Sequence, residues 1–157
     1  MSRPAKVQIN LTALRHNFSQ VRKFAPDSRV LSVVKADAYG HGLTTIASAL
    51  THSDAFGVAC IEEAMELREA GITSPILLLE GPFTYEELTL VATLTLDIVI
   101  HSHEQIAMIE EYQGEYRLPV WLKIDTGMHR LGFQPDKVKD VYDKLLSLDH
   151  VNKEIIM

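Results

Sequence analysis

The sequence predicts an α/β protein assembled from successive parallel βαβ units. Three observations carry that prediction. Short apolar runs rich in Val, Ile and Leu alternate along the chain with stretches whose apolar residues recur at helical spacing. The strand-like runs recur at intervals of roughly 21–34 residues, which leaves room for a crossover helix between parallel neighbours. No linker or low-complexity segment interrupts the units, and no G-x-G-x-x-G turn follows a strand, so a dinucleotide fold gets little support. On pattern alone, an open doubly wound sheet and a piece of a (β/α)8 barrel both remain.

The elements follow in order. After the alternating run Val7-Gln8-Ile9, Asn10 is placed to cap a helix carrying Leu11, Leu14, Phe18 and Val21, which Pro26 stops. Val30 to Val34 reads as a buried strand, and Leu43, Ile46, Ala47 and Leu50 mark the helix after it. Ala55 to Val58 is the second strand. Ile61, Ala64, Met65 and Leu67 line one face of the next helix, with Glu62, Glu63, Glu66 and Glu69 mostly opposite and Gly71 as its terminator. Pro75 to Leu79 is a third, buried strand. Thr84 with Glu87 has capping-box spacing before a helix through Leu88 and Val91, and Ser102 with Gln105 repeats it before Ile106 and Ile109. Between them, Leu96 to Ile100 is the fourth strand. Val120 to Ile124 is the fifth, Pro135 opens a last helix through Val138, Val141, Tyr142, Leu145 and Leu146, and Glu154 to Met157 begins a sixth strand.

Composition bounds the function. The chain has 157 residues, enough for one domain with a substantial core, and its 46% hydrophobic and 23% charged residues exclude a disordered or fibrous class. Fifteen basic against 21 acidic residues give a net charge of −6, which argues against a general nucleic-acid binder. Cys60 is the single cysteine, so no internal disulfide can form, and no zinc-type spacing exists. His101 and His103, two apart without a third ligand, are better read as part of a helix-capping segment than as a metal site. No apolar run approaches the ~20 residues needed to span a bilayer, and the start MSRPAKVQIN lacks the apolar core of a secretory signal. A cytoplasmic enzyme fits this profile.

The most informative stretch is VVKADAYGHG, Val33 to Gly42. A lysine at the carboxyl end of a buried strand is poorly placed for a solvated surface charge. Desolvation there would lower its pKa, which suits a Schiff-base amine. The residues leave a second reading open, in which Lys35 snorkels out of the strand end and pairs with Asp37. Gly40 and Gly42 supply backbone freedom for the turn, and His41 reads as a structural hydrogen-bonding group.

VVKADAYGHG resembles the pyridoxal-phosphate attachment motif of the alanine racemases. WLKIDTGMHRLGF, Trp121 to Phe133, resembles that family's fifth-strand motif with its active-site arginine. FGVACIEEAMELREAGI and PILLLEG also look like family sequence, so the resemblance covers essentially the whole chain. It implies an amino-terminal (β/α)8 TIM-type barrel of fold-type III, here five to six βα units over residues 1–157, with the carboxyl-terminal β domain absent.

The resemblance also implies roles. The ε-amine of Lys35 would form the internal aldimine with pyridoxal 5'-phosphate and move the Cα proton of the D enantiomer. Tyr39 would hydrogen-bond the cofactor phosphate, and Arg130 would bind the substrate carboxylate or the cofactor's phenolic oxygen, for which a guanidinium is suited. Met128 would contact substrate. Lys123 would carry a carbamate, an anion able to orient the arginine. His129 receives no role. The implied reaction interconverts L-alanine and D-alanine for peptidoglycan supply, in a homodimer. Another enzyme of the same fold type, a broad-specificity racemase or an amino-acid decarboxylase, is the nearest alternative, and a non-catalytic barrel module is a third.

A closed (β/α)8 barrel takes about 250 residues and a compact one about 200. A chain with five to six units is therefore expected to be a fragment with two open strand edges, prone to self-association and inactive by itself. The family's second base, a tyrosine given across the dimer interface, and the sixth-strand histidine that stacks on the cofactor would lie beyond it.

Overall fold

A computed structural model describes residues 6–157, except the side chains of Lys153 and Glu154. Six parallel strands, β1 (Leu31–Val33), β2 (Ala55–Val58), β3 (Ile76–Leu78), β4 (Asp97–Ile100), β5 (Leu118–Leu122) and β6 (Val151–Ile156), form one sheet in strict sequence order. A doubly wound sheet reverses its strand order at a switch point. A monotonic order joined by right-handed crossovers keeps every helix on one face, which is the wall of a barrel. The sheet does not close: β1 and β6 are its two edges.

Register sorts the side chains onto two faces. Phe56 pairs with Ile76, Leu78 with Ile98, and Ile98 with Val120, and these residues join the main core with Leu67, Leu88, Val91 and Ile109 of the surrounding helices. On the other face, Leu31, Gly57, Leu77, Val99 and Trp121 point into the barrel. Leu77 and Val99 are buried, whereas Val33 at the edge is 40% exposed. Trp121 Nε1 donates to Asp97 Oδ2 at 2.9 Å near the amino ends of the strands. There Leu31 of β1 and Ile155 of β6 line one cavity, so the sheet curls as a barrel does. The strand expected to be buried at Val30 to Val34 is only half-buried, because nothing among the described residues covers its outer edge.

The helices are α1 (Leu11–Phe24), α2 (Lys35–Gly40), α3 (Leu43–Ala49), α4 (Ile61–Glu69), α5 (Glu87–Leu94), α6 (His103–Glu111) and α7 (Val138–Leu146). Asn10 Oδ1 accepts from Ala13 N at 3.0 Å and caps α1 as expected. Gly71 ends α4 at φ +81°, with Ile72 N donating to Leu67 O. Met65 lies at the margin of the α4 stripe and is 37% exposed, while Ile61, Ala64 and Leu67 are buried.

Four boundaries differ from expectation. Thr84 does not cap α5; the helix starts at Glu87, whose carboxylate accepts from Phe83 N. Ser102 does cap α6, but Gln105 reaches back to His101 N and not to the cap itself. Pro135 sits in a turn three residues ahead of α7. β5 runs two residues earlier than expected and contains Pro119, tolerated because the ladder to β6 slips there. Lys123 consequently follows β5 and does not lie within it, and β6 begins at Val151.

Candidate functional site

The carboxyl ends of β1, β3 and β5 open onto a cleft of about 450 Å3. Lys35, Tyr39, Lys123 and Arg130 line it, with Glu80, Val33, Leu79 and Leu131. Function gathers at this end of a parallel barrel because each strand delivers a residue there from a separate loop. The structure thus brings four of the singled-out residues to one place. Met128, on the same loop as Arg130, is 78% exposed and is not among the lining residues.

Lys35 leads directly into an unusual backbone. Ala36, Asp37, Ala38 and Tyr39 all have φ between +51° and +56° and ψ between +38° and +53°, so four consecutive non-glycine residues of α2 form a turn of left-handed helix. At ~1–2 kcal/mol per residue, four such residues cost about 4–8 kcal/mol, which the surroundings must offset. Several bonds do so. Ala38 N donates to Val34 O at 2.7 Å, and Leu43 N donates to Asp37 Oδ1 at 2.6 Å. Glu63 of α4 accepts from Ala36 N at 2.5 Å and Asp37 N at 3.4 Å with one oxygen, and from Ala59 N at 2.8 Å with the other. Gly42 follows at φ +93° and returns the chain to a right-handed helix. His41 Nδ1 lies 2.8 Å from Ala38 O, a structural contact.

Arg130 is presented by a loop wound around Asp125. That carboxylate is 7% exposed and accepts from Gly127 N, His129 N, His129 Nδ1 and Gln134 Nε2 at 2.9–3.2 Å. The backbone donors of His129 and Gly127, with the His129 ring, pull its pKa from an ordinary 3.8 to about 2. Phe133 closes the base, donating to Lys123 O and accepting from Asp125 N at 2.9 Å each. Gly132 allows this closure: at φ +118°, a Cβ there would lie 2.7 Å from Asp125 N. On the third side, buried Gln105 donates to Glu80 O at 2.8 Å and Pro82 O at 3.3 Å, and His101 Nε2 is 3.0 Å from Glu80 O. His101 therefore supports the cleft rim, while His103 packs edge-on against Phe133 at 5.2 Å.

Asp37 and Asp125 are both committed to backbone donors. Among the described residues, Lys35, Lys123 and Arg130 have no carboxylate within 4 Å. Three cations and one lining carboxylate, Glu80, make a cleft suited to an anionic ligand. The surface pairing of Lys35 with Asp37 is not formed. Glu63 and Gln105 escaped the sequence reading. One looked like part of a solvated acidic face, the other like a capping residue, and neither periodicity nor spacing marks a side chain that reaches into a neighbouring loop.

The sequence family described as "Alanine racemase, N-terminal domain" matches over residues 9–157. An alanine racemase of Pseudomonas entomophila is 49% identical over 156 residues, covering 99% of this chain and 43% of that protein. The biosynthetic alanine racemase of Escherichia coli is 45% identical over 151 residues, covering 96% of this chain and 42% of that protein. The crystal structure of biosynthetic alanine racemase from Pseudomonas aeruginosa superimposes with a TM-score of 0.88 at 41% identity, over 93% of this chain and 41% of that one. The alanine racemase structure from E. faecalis gives 0.87 at 32% identity, over 98% and 43%. The chain spans less than half the length of these relatives.

Proposed function

The chain belongs to the alanine racemase family by its amino-terminal domain, and on that premise we propose that it carries the lysine half of a racemase interconverting L-alanine and D-alanine with pyridoxal 5'-phosphate. The observation that supports this best is the convergence of Lys35, Tyr39 and Arg130 on one cationic cleft at the strand carboxyl ends. The donor set fits the group. An amine is available for the aldehyde, a phenol and cations for the phosphate and phenolic oxygens, and among the described residues no carboxylate within 4 Å neutralises those cations. When bound, the cofactor supplies an electron sink for the carbanion at the substrate Cα.

The protein's own groups do the rest. Lys35 Nζ would hold the aldehyde carbon at rest and, once the substrate's amine has displaced it, would be free to exchange the Cα proton on its face of the substrate. Tyr39 would donate its hydroxyl to the phosphate. Arg130 would hold a carboxylate with two parallel N–H donors, or donate to the phenolic oxygen, and so orient the substrate for loss of the Cα proton. Met128 reaches the substrate only if the exposed tip of its loop folds over the cleft. Lys123 adds through Nζ to carbon dioxide and loses a proton, and the resulting carbamate is an anion that orients Arg130. This reading assigns residues 1–157 to the pyridoxal-phosphate barrel of a longer, cytoplasmic homodimer making D-alanine for the cell wall. The face opposite Lys35 is served from outside these residues, so the chain alone does not racemise.

The test is a visible-absorbance titration of the chain with pyridoxal phosphate beside its Lys35→Ala variant, with racemisation assayed on the longer protein. A band dependent on Lys35, with turnover of alanine ahead of other amino acids, supports the reading. Equal spectra for the two chains would overturn the Lys35 assignment. Preference for another amino acid, or carbon dioxide release, would overturn the alanine assignment.

A further inference from the structure

We propose that Glu63 is a positioning residue for Lys35, acting through the left-handed turn that follows it. The inference rests on the assignment of Lys35 made above. Glu63 lies in the first turn of α4 and belongs to the second βα unit, whereas Lys35 belongs to the first. Its two oxygens join those units. Oε1 takes the N–H groups of Ala36 and Asp37, and Oε2 takes that of Ala59 at the exit of β2.

The Ala36 N–H belongs to the peptide that leaves Lys35, so the clamp acts two bonds from the Cα carrying the reactive side chain. Four consecutive residues beyond it occupy a conformation that L-residues avoid, and no glycine relieves Ala36 to Tyr39. Released from Glu63, that segment gains by relaxing toward ordinary φ, which swings Lys35 and Tyr39 together. Asp37 holds the far end through Leu43 N and Val34 O takes Ala38 N across the lysine, while Glu63 is the side chain that takes the two N–H groups directly after Lys35. Charge matters as well as shape. A carboxylate accepts at both oxygens, whereas a glutamine can accept at one end only and turns a donor toward the other N–H.

The experiment uses the chain itself with pyridoxal phosphate as probe. Nζ condenses with the aldehyde as water leaves, borohydride delivers hydride to the carbon, and a secondary amine fixed on the lysine is mapped by peptide mass spectrometry. The readout is the initial labelling rate at Lys35 divided by that at exposed Lys23, together with amide exchange at Ala36. We expect Glu63→Ala to lower the ratio about tenfold, the effect of roughly one charge-assisted hydrogen bond. Glu63→Gln should rescue it in part, with Ala36 exchange rising in step. Far-UV circular dichroism reports whether each variant folds, and Glu63→Gln keeps the shape if the alanine variant does not. An unchanged ratio in folded Glu63→Gln, with Ala36 exchange raised, overturns the positioning role while leaving Lys35 in place. A wild-type ratio near one overturns the Lys35 assignment and this inference with it.

Discussion

Replacing Gly132 by alanine tests whether the Arg130 loop is held by close backbone approach. The new Cβ would meet Asp125 N at 2.7 Å, Ile124 C at 3.0 Å and Lys123 O at 3.1 Å, all backbone atoms that cannot rotate away. Forcing an L-residue to φ +118° costs on the order of 1–3 kcal/mol. Overpacking of this kind adds about 1–3 kcal/mol more, so Gly132→Ala should lose about 2–6 kcal/mol of stability. The molecule contains its own controls. Gly40 at φ +80° and Gly71 at φ +81° have nothing within 4 Å of the position a Cβ would take. Alanine there should cost only the conformational part, about 1 kcal/mol. Urea denaturation followed by circular dichroism compares the three variants at equal m-value. If Gly132→Ala loses no more than Gly40→Ala and Gly71→Ala, the close approach does not hold the loop, and the account of how Arg130 is presented fails.

Further outcomes follow from the same contacts. Asp125 has its pKa depressed from 3.8 to about 2 in the folded chain, so its contribution is complete above about 4 and is lost as pH falls toward 2. Urea midpoints measured from pH 5 to 2 should fall across that window in the wild type and change less in Asp125→Asn; parallel curves would refute the assignment. Ser102→Ala should cost about 1 kcal/mol as the loss of an N-cap, whereas Thr84→Ala should be nearly neutral, because Thr84 caps nothing. Equal losses in chemical denaturation would contradict that difference. Leu78→Ala, at a site with no exposure in the helix-facing core, should lose about 3 kcal/mol by the same assay, and a loss under 1 kcal/mol would refute its place in that core.

Much of the barrel wall was legible because burial on a central strand leaves a plain mark. Ala55 to Val58 and the runs at Ile76 and Ile98 admit few alternatives, and parallel βαβ order follows from their spacing. Boundaries near turns were less so. Thr84 and Pro135 each carry a helix-start signal, yet the chain makes a turn first, and Pro119 hides a strand start because proline argues against a ladder. The left-handed course of Ala36 to Tyr39 had little local signal: of the four only Asp37 is of a type that visits positive φ, and the bonds that hold the turn run to Glu63, Leu43 and Val34. Lys35 and Arg130 stood out through the motifs around them. Glu63 and Gln105 did not, since a side chain that serves another element's backbone looks like any polar helix residue.

The most direct test of the central claim is a crystal structure of the longer protein grown with pyridoxal phosphate. The account predicts continuous density from Lys35 Nζ to the cofactor, with the Tyr39 hydroxyl on its phosphate and the Arg130 guanidinium facing the same ligand. Cofactor bound away from Lys35, or an Arg130 turned out of that cleft, would contradict it.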